Sequence, residues 1–201
     1  MIHDPDGPDI ATAREAPQAS PWNVPNALTV LRIVMVPFFG WLLLTQGGED
    51  AMLRWWALAV FLVAIGTDWV DGYLARRQGL ITAFGKLMDP IADKALIGTA
   101  LVGLSIIDLL PWWVTIVILV REVGITLMRF VVIRRGVIPA SKGGKLKTVL
   151  QAVGISMVMA PIGGWFGELG LWVMYAALAV TVLTGIDYVR QALGPRERAR
   201  R

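Results

Sequence analysis

Residues 67–94 read TDWVDGYLARRQGLITAFGKLMDPIADK and place four aspartates where two apolar stretches meet. Asp68 and Asp71 are three residues apart and Asp89 and Asp93 are four apart, so each pair lies on one face of a helix. The two faces can converge across the residues that connect them. Since a charged Asp in a membrane span costs roughly 2.5–3.5 kcal/mol, such a cluster requires compensation by protonation, basic partners or metal ions.

Divalent cations are the best compensation for such a cluster. Oxygen ligation by carboxylates alone suits Mg²⁺ or Mn²⁺, and four carboxylates can hold two such ions. Two-metal sites typically serve phosphoryl chemistry. Gly72 and Gly85 would let a ligand's phosphates approach the backbone closely, and Arg76 could contact a diphosphate. The alternative is that the aspartates form ion pairs at the membrane surface, with Arg76, Arg77, Lys86 and Lys94 as partners.

The chain around this stretch is apolar enough to lie in a membrane. Of its 201 residues 56% are hydrophobic, and the mean hydropathy is +0.62. A soluble domain of this size cannot bury so many apolar residues. The chain has no cysteine and one histidine, His3, which excludes thiolate metal sites, disulfide frameworks and paired-histidine chemistry. We predict an all-α polytopic membrane protein with six transmembrane helices, at residues 25–45, 53–75, 87–108, 112–133, 147–166 and 169–191.

The ends of the chain differ from its middle. From its composition we predict that residues 1–20 form a disordered cytoplasmic tail. We predict that residues 21–191 form a six-helix catalytic domain and that residues 192–201 form a basic cytoplasmic tail. With the N-terminus inside, only Arg54 of the 19 Lys and Arg residues falls on the outer side. Since short cytoplasmic loops carry the positive excess, we predict that both termini and the aspartate cluster face the cytoplasm.

The aspartates stand in the pattern D-x2-D-G-x2-A-R-x8-G-x3-D-x3-D, which resembles the signature of the CDP-alcohol phosphotransferase family. Fixed residues at fixed spacing make the resemblance specific, and the predicted spans resemble the family's fold throughout residues 21–191. The resemblance implies transfer of a phosphatidyl group from a CDP-linked lipid to an alcohol with release of CMP. It also implies a homodimer in the bacterial inner membrane. The fixed positions are filled by Asp68, Asp71, Gly72, Ala75, Arg76, Gly85, Asp89 and Asp93.

The same resemblance assigns roles to individual residues. Asp68, Asp71 and Asp89 would be chiefly ligands of two divalent ions, Mg²⁺ or Mn²⁺, that bridge the donor's diphosphate. Asp93 would contact one metal and act as general base, because an alcohol cannot lose its proton at neutral pH unaided. The residues that match the family's contacts to the CDP moiety are Pro25, Asn26, Thr29, Gly72, Arg76 and Thr82.

A second informative pattern lies in residues 121–129 and 141–148, which read REVGITLMR and SKGGKLKT. Lys145 and Lys147 would open the fifth span beside the metal face, where they could bind an acceptor that carries its own phosphate. These patterns, with residues 23–32, resemble the branch of the family that joins CDP-diacylglycerol to glycerol 3-phosphate. The predicted contacts to the acceptor phosphate are Arg121, Lys142, Lys145 and Lys147.

Other interpretations of the sequence stay open. The lysines could be ordinary positive-inside charges, and Arg121 with Glu122 a buried structural pair. Within the family, phosphatidylglycerol or an inositol phosphate could be the acceptor; the basic cluster argues against the first and discriminates poorly against the second. The carboxylates could also form a cation or proton pathway in a small transporter, although their clustering at one face disfavours it. The expected partners are the lipid substrates and membrane lipids, with no nucleic acid.

Overall fold

The computed structural model describes residues 24–78, 83–133 and 142–193. Within these residues every regular element is helical, and six long helices follow the order of the six predicted segments. The tail at residues 1–20, most of the tail at 192–201, and Thr82 lie outside the described residues. The helices are α1 (Val24–Leu44), α2 (Ala51–Gln78), α3 (Ala83–Ile106), α4 (Trp112–Ile133), α5 (Lys142–Met159) and α6 (Trp165–Leu193), with a 3₁₀ turn at Thr45–Gly48.

Three short connections reverse the chain at the end of the bundle away from the aspartates. Each of them passes through the left-handed region, with φ of 75° at Gly48, 57° at Asp108 and 76° at Gly163. Gly48 is also required by packing, because a Cβ on it would lie 2.7 Å from Cδ1 of Ile107. These tight turns bring consecutive helices back antiparallel, so the N-terminal ends of α1, α3 and α5 share the opposite end of the bundle.

The core packs α1 against α2 and α3, and α5 against α6. Phe39 of α1 and Phe61 of α2 are fully buried, and their ring centroids lie 5.6 Å apart. Helices α5 and α6 approach closely at Gly154, where an added Cβ would lie 2.7 Å from Sδ of Met174. Small residues at such contacts allow the close packing that holds helices together in lipid.

The helices differ in how apolar they are. Within the described residues three stretches are long and apolar enough to cross a membrane, Asn26–Gly48, Ala51–Asp68 and Trp165–Arg190. Any 18 consecutive residues of α3, α4 or α5 include at least three charged residues, because these helices carry most of the charged residues of the predicted site. All six helices nevertheless expose large apolar side chains, such as Val120 on α4 at 67% and Val149 on α5 at 58%. This surface indicates a membrane protein.

The fifth helix departs most from its predicted bounds of 147–166, whereas the others agree within four residues. It begins at Lys142 because a lysine-rich stretch is compatible with a helix, although its polarity hides it from an apolar pattern. It ends at Met159 because Pro161 cannot continue a helix and restricts the residue before it. The fifth helix therefore presents its lysines within its first two turns.

Arg54 joins α2 to the C-terminus of α5, at the end of the bundle away from the aspartates. Its guanidinium donates to the carbonyls of Met159 at 3.1 Å and Val158 at 3.2 Å, which lack partners within the helix. We expect Arg54→Met to lower the free energy of unfolding by about 2 kcal/mol, because bonds from a charged donor are lost. Thermal unfolding in detergent measures the change. Arg54→Lys keeps a charged donor and should retain part of the stability that Arg54→Met loses. An unchanged midpoint for Arg54→Met would show that these bonds do not hold the helices together.

Candidate active site

A row of polar residues is buried on α1. Asn26, Thr29 and Arg32 recur at every third position, so they share one face of the helix, and they are 5%, 1% and 0% exposed. Buried polar groups are costly unless they are paired, so this face must meet partners inside the bundle. For Thr29 and Arg32 those partners are carboxylates of α3 and α2.

Arg32 and Thr29 each hold one of the predicted aspartates. Nη1 of Arg32 donates to Oδ1 of Asp68 at 2.7 Å, and its Nε donates to the carbonyl of Ala64 at 3.2 Å. Oγ1 of Thr29 donates to Oδ1 of Asp89 at 2.6 Å. The Asp68 side chain stays 47% exposed, so it is still accessible to a ligand. Helix α1 thereby orients the first aspartate of each predicted pair.

The sequence analysis placed Arg32 in a family-like pattern, residues 23–32, but gave it no role in the site. The ion-pair alternative named partners close to Asp68 in sequence, whereas the partner in the structure lies 36 residues earlier. The signal was present in the spacing, because Arg32 follows Asn26 and Thr29 at intervals of three in an otherwise apolar helix. A charge at such a position requires a partner on a neighbouring helix.

Asp93 interacts electrostatically with two ion pairs, Arg32 with Asp68 and Lys147 with Glu122. Its carboxylate is repelled by those of Asp68 and Glu122 and attracted by the cations of Arg32 and Lys147. It lines a pocket of about 120 Å³ between α3, α4 and α5. The polar residues that share this pocket with it are Lys94, Glu122, Lys147, Thr148 and Gln151.

Glu122 connects Lys147 of this pocket to Arg121, which is bonded to α6. Its Oε1 accepts hydrogen bonds from Nζ of Lys147 at 2.5 Å and from Nη1 of Arg121 at 2.9 Å. Arg121 is in turn anchored on α6, where its Nε donates to the carbonyl of Thr181 at 2.9 Å and its Nη2 to Oγ1 of Thr184 at 3.0 Å. The two cations and the carboxylate therefore form one network that spans three helices.

The four residues predicted to bind the acceptor phosphate do not share one location. Lys147 is 9% exposed and lies in the pocket of Asp93, whereas Lys145 is exposed. Residues two positions apart on a helix point about 200° away from each other, so Lys145 and Lys147 face different ways. Arg121 contacts α6 and Glu122, as the structural alternative expected. The side chain of Lys142 lies outside the described residues.

Of the six residues predicted to contact CDP, the structure describes the side chains of Asn26 and Thr29. Both are buried on the face of α1 that meets the aspartates. Pro25, Gly72 and Arg76 belong to helices, but their side-chain surroundings lie outside the described part of the chain. Of the predicted contacts to CDP, the structure therefore describes only those on this face of α1.

The chemistry of the carboxylates fits a hard divalent cation. Asp68, Asp89 and Asp93 offer oxygen ligands, and a cation would relieve the repulsion between Asp68 and Asp93. Among the described side chains no three His, Cys, Asp or Glu residues are grouped closely enough to hold an ion. The side chain of Asp71, the fourth predicted ligand, lies outside that set. The donor set suits Mg²⁺ or Mn²⁺ in kind.

Comparison with known proteins decides the family. The model of the family described as CDP-alcohol phosphatidyltransferase matches residues 22–183, which include the four aspartates and the lysines at the start of α5. The chain belongs to the CDP-alcohol phosphatidyltransferase family. It is therefore a phosphatidyltransferase, and its family is generally dependent on divalent metal ions, in agreement with the carboxylate donor set.

Curated members of the CDP-alcohol phosphatidyltransferase family resemble this chain over most of its length. The probable phosphatidylglycerophosphate synthase of Mycobacterium tuberculosis strain H37Rv is 52% identical over 182 residues, 90% of this chain and 87% of the relative. The CDP-diacylglycerol–glycerol-3-phosphate 3-phosphatidyltransferase of Bacillus subtilis is 38% identical over 183 residues, which are 83% of this chain and 93% of the relative. The protein of the same name from Salmonella paratyphi A is 31% identical over 179 residues, which are 86% of this chain and 96% of the relative.

Proposed function

We propose that this phosphatidyltransferase transfers the phosphatidyl group of CDP-diacylglycerol to glycerol 3-phosphate, giving phosphatidylglycerophosphate and CMP in the synthesis of anionic phospholipids. The observation that carries the proposal is the position of Lys147 and Asp93 in one pocket. A cation suited to an acceptor's phosphate stands there beside a carboxylate suited to its hydroxyl. The names of the relatives from M. tuberculosis and B. subtilis support the same activity.

Asp93 is the proposed general base. As the acceptor's hydroxyl oxygen bonds to the phosphorus of the phosphatidyl group, its proton passes to the Asp93 carboxylate, and the bond from that phosphorus to the oxygen of CMP breaks. The electron pair of the broken bond leaves with CMP. Asp93 suits this role because its carboxylate interacts electrostatically both with Asp68, the aspartate that α1 orients, and with the cation of Lys147.

The proposed cofactor is a pair of divalent ions, Mg²⁺ or Mn²⁺. When bound, such ions neutralise the charge of the diphosphate and of the departing CMP. The residues that would hold them are Asp68, Asp71, Asp89 and Asp93. Arg32 and Thr29 contribute by fixing Asp68 and Asp89 from the side of α1 before any ion arrives.

The donor is proposed to bind on the side of the aspartates that α1 lines. Asn26 and Thr29 supply buried polar groups next to Asp89, which suits contact with the CDP moiety. Thr29 already donates to Asp89, so its proposed contribution includes positioning that carboxylate. The remaining proposed contacts to CDP are Pro25, Gly72, Arg76 and Thr82.

The acceptor is proposed to occupy the pocket between α3, α4 and α5. Its volume of about 120 Å³ is small beside the roughly 300–1,000 Å³ of most ligand pockets, and it suits a three-carbon phosphate better than an inositol phosphate or a whole phosphatidylglycerol. Lys147 is the proposed direct contact to the phosphate, and Lys142 and Lys145 add positive potential at the start of α5. Because its guanidinium is committed to α6 and Glu122, Arg121 is now proposed to position Glu122 instead.

All six helices are proposed to cross a bacterial inner membrane, with the site and both termini on the cytoplasmic side and the chain as a homodimer. Helix α5, the shortest at 18 residues, is about 27 Å long, close to the roughly 30 Å of the hydrocarbon core. The turns at the far end of the bundle hold Glu49, Asp50 and Asp108 and no Lys or Arg, which supports this orientation. The tails at 1–20 and 192–201 are proposed to be cytoplasmic.

An acceptor panel tests the proposed reaction. With purified full-length protein, CDP-diacylglycerol and Mg²⁺ or Mn²⁺, we expect CMP release with glycerol 3-phosphate and none with phosphatidylglycerol or inositol phosphate. Chelation by EDTA should abolish the release, and added metal should restore it. Release with another acceptor but not with glycerol 3-phosphate would refute the proposed substrate. The absence of metal-dependent CMP release with any acceptor would refute the proposed reaction.

Lys147→Met tests the acceptor pocket separately. We expect KM for glycerol 3-phosphate to rise about tenfold or more, because a charge-assisted contact to the phosphate is lost, while KM for CDP-diacylglycerol stays within twofold. Lys147→Arg keeps the charge and should recover part of the loss. An equal rise of both KM values would show that the pocket of Lys147 does not bind the acceptor specifically.

A further inference from the structure

An open groove runs between α4 and α6, on the opposite face of α4 from the pocket of Asp93. Residues 118, 119, 122 and 123 of α4 line the pocket, and residues 116, 117, 120, 121, 124, 125 and 128 line the groove. At 100° per residue these two sets lie about 180° apart around the helix. The groove is therefore separated from the reacting groups by the body of α4.

The size of the groove matches one lipid chain in one leaflet. It has a volume of about 630 Å³ and extends along α4 from Ile116 to Met128. Twelve residue steps on a helix are about 18 Å, close to half of the roughly 30 Å hydrocarbon core. Apart from Arg121 and Arg190, every lining residue is an apolar residue or a glycine. Such a lining excludes a polar ligand from the length of the groove.

Two glycines keep the groove open. A Cβ on Gly124 would meet nothing within 4 Å, so this position faces open space. A Cβ on Gly185 would lie 3.0 Å from Nε of Arg121, so this glycine leaves room for the arginine that crosses from α4 to α6. The floor of the groove is thus held by bonds between α4 and α6.

A cation stands where the groove reaches the end of α6. Arg190 lines the groove, is exposed, and makes no hydrogen bond or ion pair within the part of the chain that the structure describes. Arg121, by contrast, has its guanidinium nitrogens engaged by α6 and Glu122. An apolar channel that ends in an exposed arginine is complementary to an acyl chain below an anionic headgroup.

We infer that the groove binds one acyl chain of an anionic phospholipid of the surrounding cytoplasmic leaflet, with the lipid phosphate at Arg190. This lipid is not the reacting one, because α4 lies between it and Asp93. The inference rests on the proposed membrane embedding of α4 and α6 and not on the identity of the acceptor. The bound lipid fills the space that Gly124 leaves and ties the ends of α4 and α6 together.

Native mass spectrometry of the full-length protein in detergent tests the site, with dioleoylphosphatidylserine as the anionic probe and dioleoylphosphatidylcholine as the neutral one. Neither is a substrate or product of the proposed reaction. We expect the wild type to retain one phosphatidylserine about fivefold more tightly than phosphatidylcholine, the preference that one arginine near a surface supplies. Arg190→Gln, a surface change that leaves the fold intact, should remove this preference. Equal retention of both lipids by the wild type would overturn the proposal.

Gly124→Leu fills the groove and should weaken retention of both lipids at least fivefold. Gly167→Leu is the matched control, because a Cβ on this α6 glycine also meets nothing within 4 Å and the residue lies outside the groove. Unchanged retention in Gly124→Leu would overturn the site whatever the acceptor panel shows. A raised KM for CDP-diacylglycerol with unchanged retention would assign the groove to the donor, and loss of dimer alone would assign it to a second copy; either result also overturns the proposal.

Discussion

Asp93→Asn is expected to lower kcat about a thousandfold while CDP-diacylglycerol still binds. Asparagine has nearly the shape of aspartate but cannot take up a proton, and a positioned base contributes roughly 10²–10⁴ to the rate. The neighbouring charges of Asp68, Arg32 and Lys147 remain in place, so the pocket should keep its form. Turnover by CMP release and donor binding by calorimetry measure the two effects separately.

Two variants control this experiment. Asp108→Asn makes the same chemical change at the far end of the bundle, in an exposed turn where φ of 57° suits asparagine, and should leave kcat unchanged. Asp68→Asn should lose donor binding, since Asp68 is proposed chiefly as a metal ligand. If Asp93→Asn loses as much donor binding as Asp68→Asn, then Asp93 is chiefly a metal ligand and another group takes the proton.

Arg32→Met is expected to have the second largest effect. It leaves the carboxylate of Asp68 and the carbonyl of Ala64 without their partner at a position where the arginine is 0% exposed. Breaking a buried ion pair costs about 3–5 kcal/mol, and we expect the lower end because the Asp68 side chain is half exposed. Turnover per folded molecule should also fall by up to about a hundredfold, the upper end of the range for loss of a residue that orients a metal ligand.

The comparison with Arg54→Met separates stability from catalysis. Both changes remove an arginine that ties two helices together, but Arg54 lies at the end of the bundle away from the site. Arg54→Met should lower stability and leave turnover per folded molecule unchanged, whereas Arg32→Met should lower both. Arg32→Lys keeps the charge and should recover part of the activity. Full turnover in folded Arg32→Met would show that Asp68 does not need this partner.

The helices could be predicted because their signals are local. Apolar runs of span length marked the six segments, and α4 was predicted at its observed bounds of 112 and 133. The lysine-rich start of α5 escaped this pattern, because a helix can begin in polar residues that face water. The end of α5 was predicted too late, because Gly163 and Gly164 were taken as its boundary. Pro161 ends the helix earlier, since it restricts the residue before it.

The sequence predicted which residues belong to the candidate site better than it predicted which of them contact one another. The aspartates were marked by charge in an apolar setting, and Lys147 by its place at the start of a span. The role of Arg121 changed once its guanidinium was seen on Thr181 and Thr184, residues that no local pattern connects to it. The bond between Glu122 and Lys147 was likewise visible only in the structure, because the two residues are 25 positions apart in sequence.

The sequence by itself determined the helical membrane class, the chemistry available to the site and the family, because composition and the spacing of residues along a helix are set by the chain alone. Only the tertiary structure decided the pairs Arg32 with Asp68 and Thr29 with Asp89, which are 36 and 60 residues apart. Such pairs form only when helices pack, since the low dielectric of the bundle makes each buried charge find the partner that packing brings nearest. The same packing placed the pocket of Asp93 and the lipid groove on opposite faces of α4.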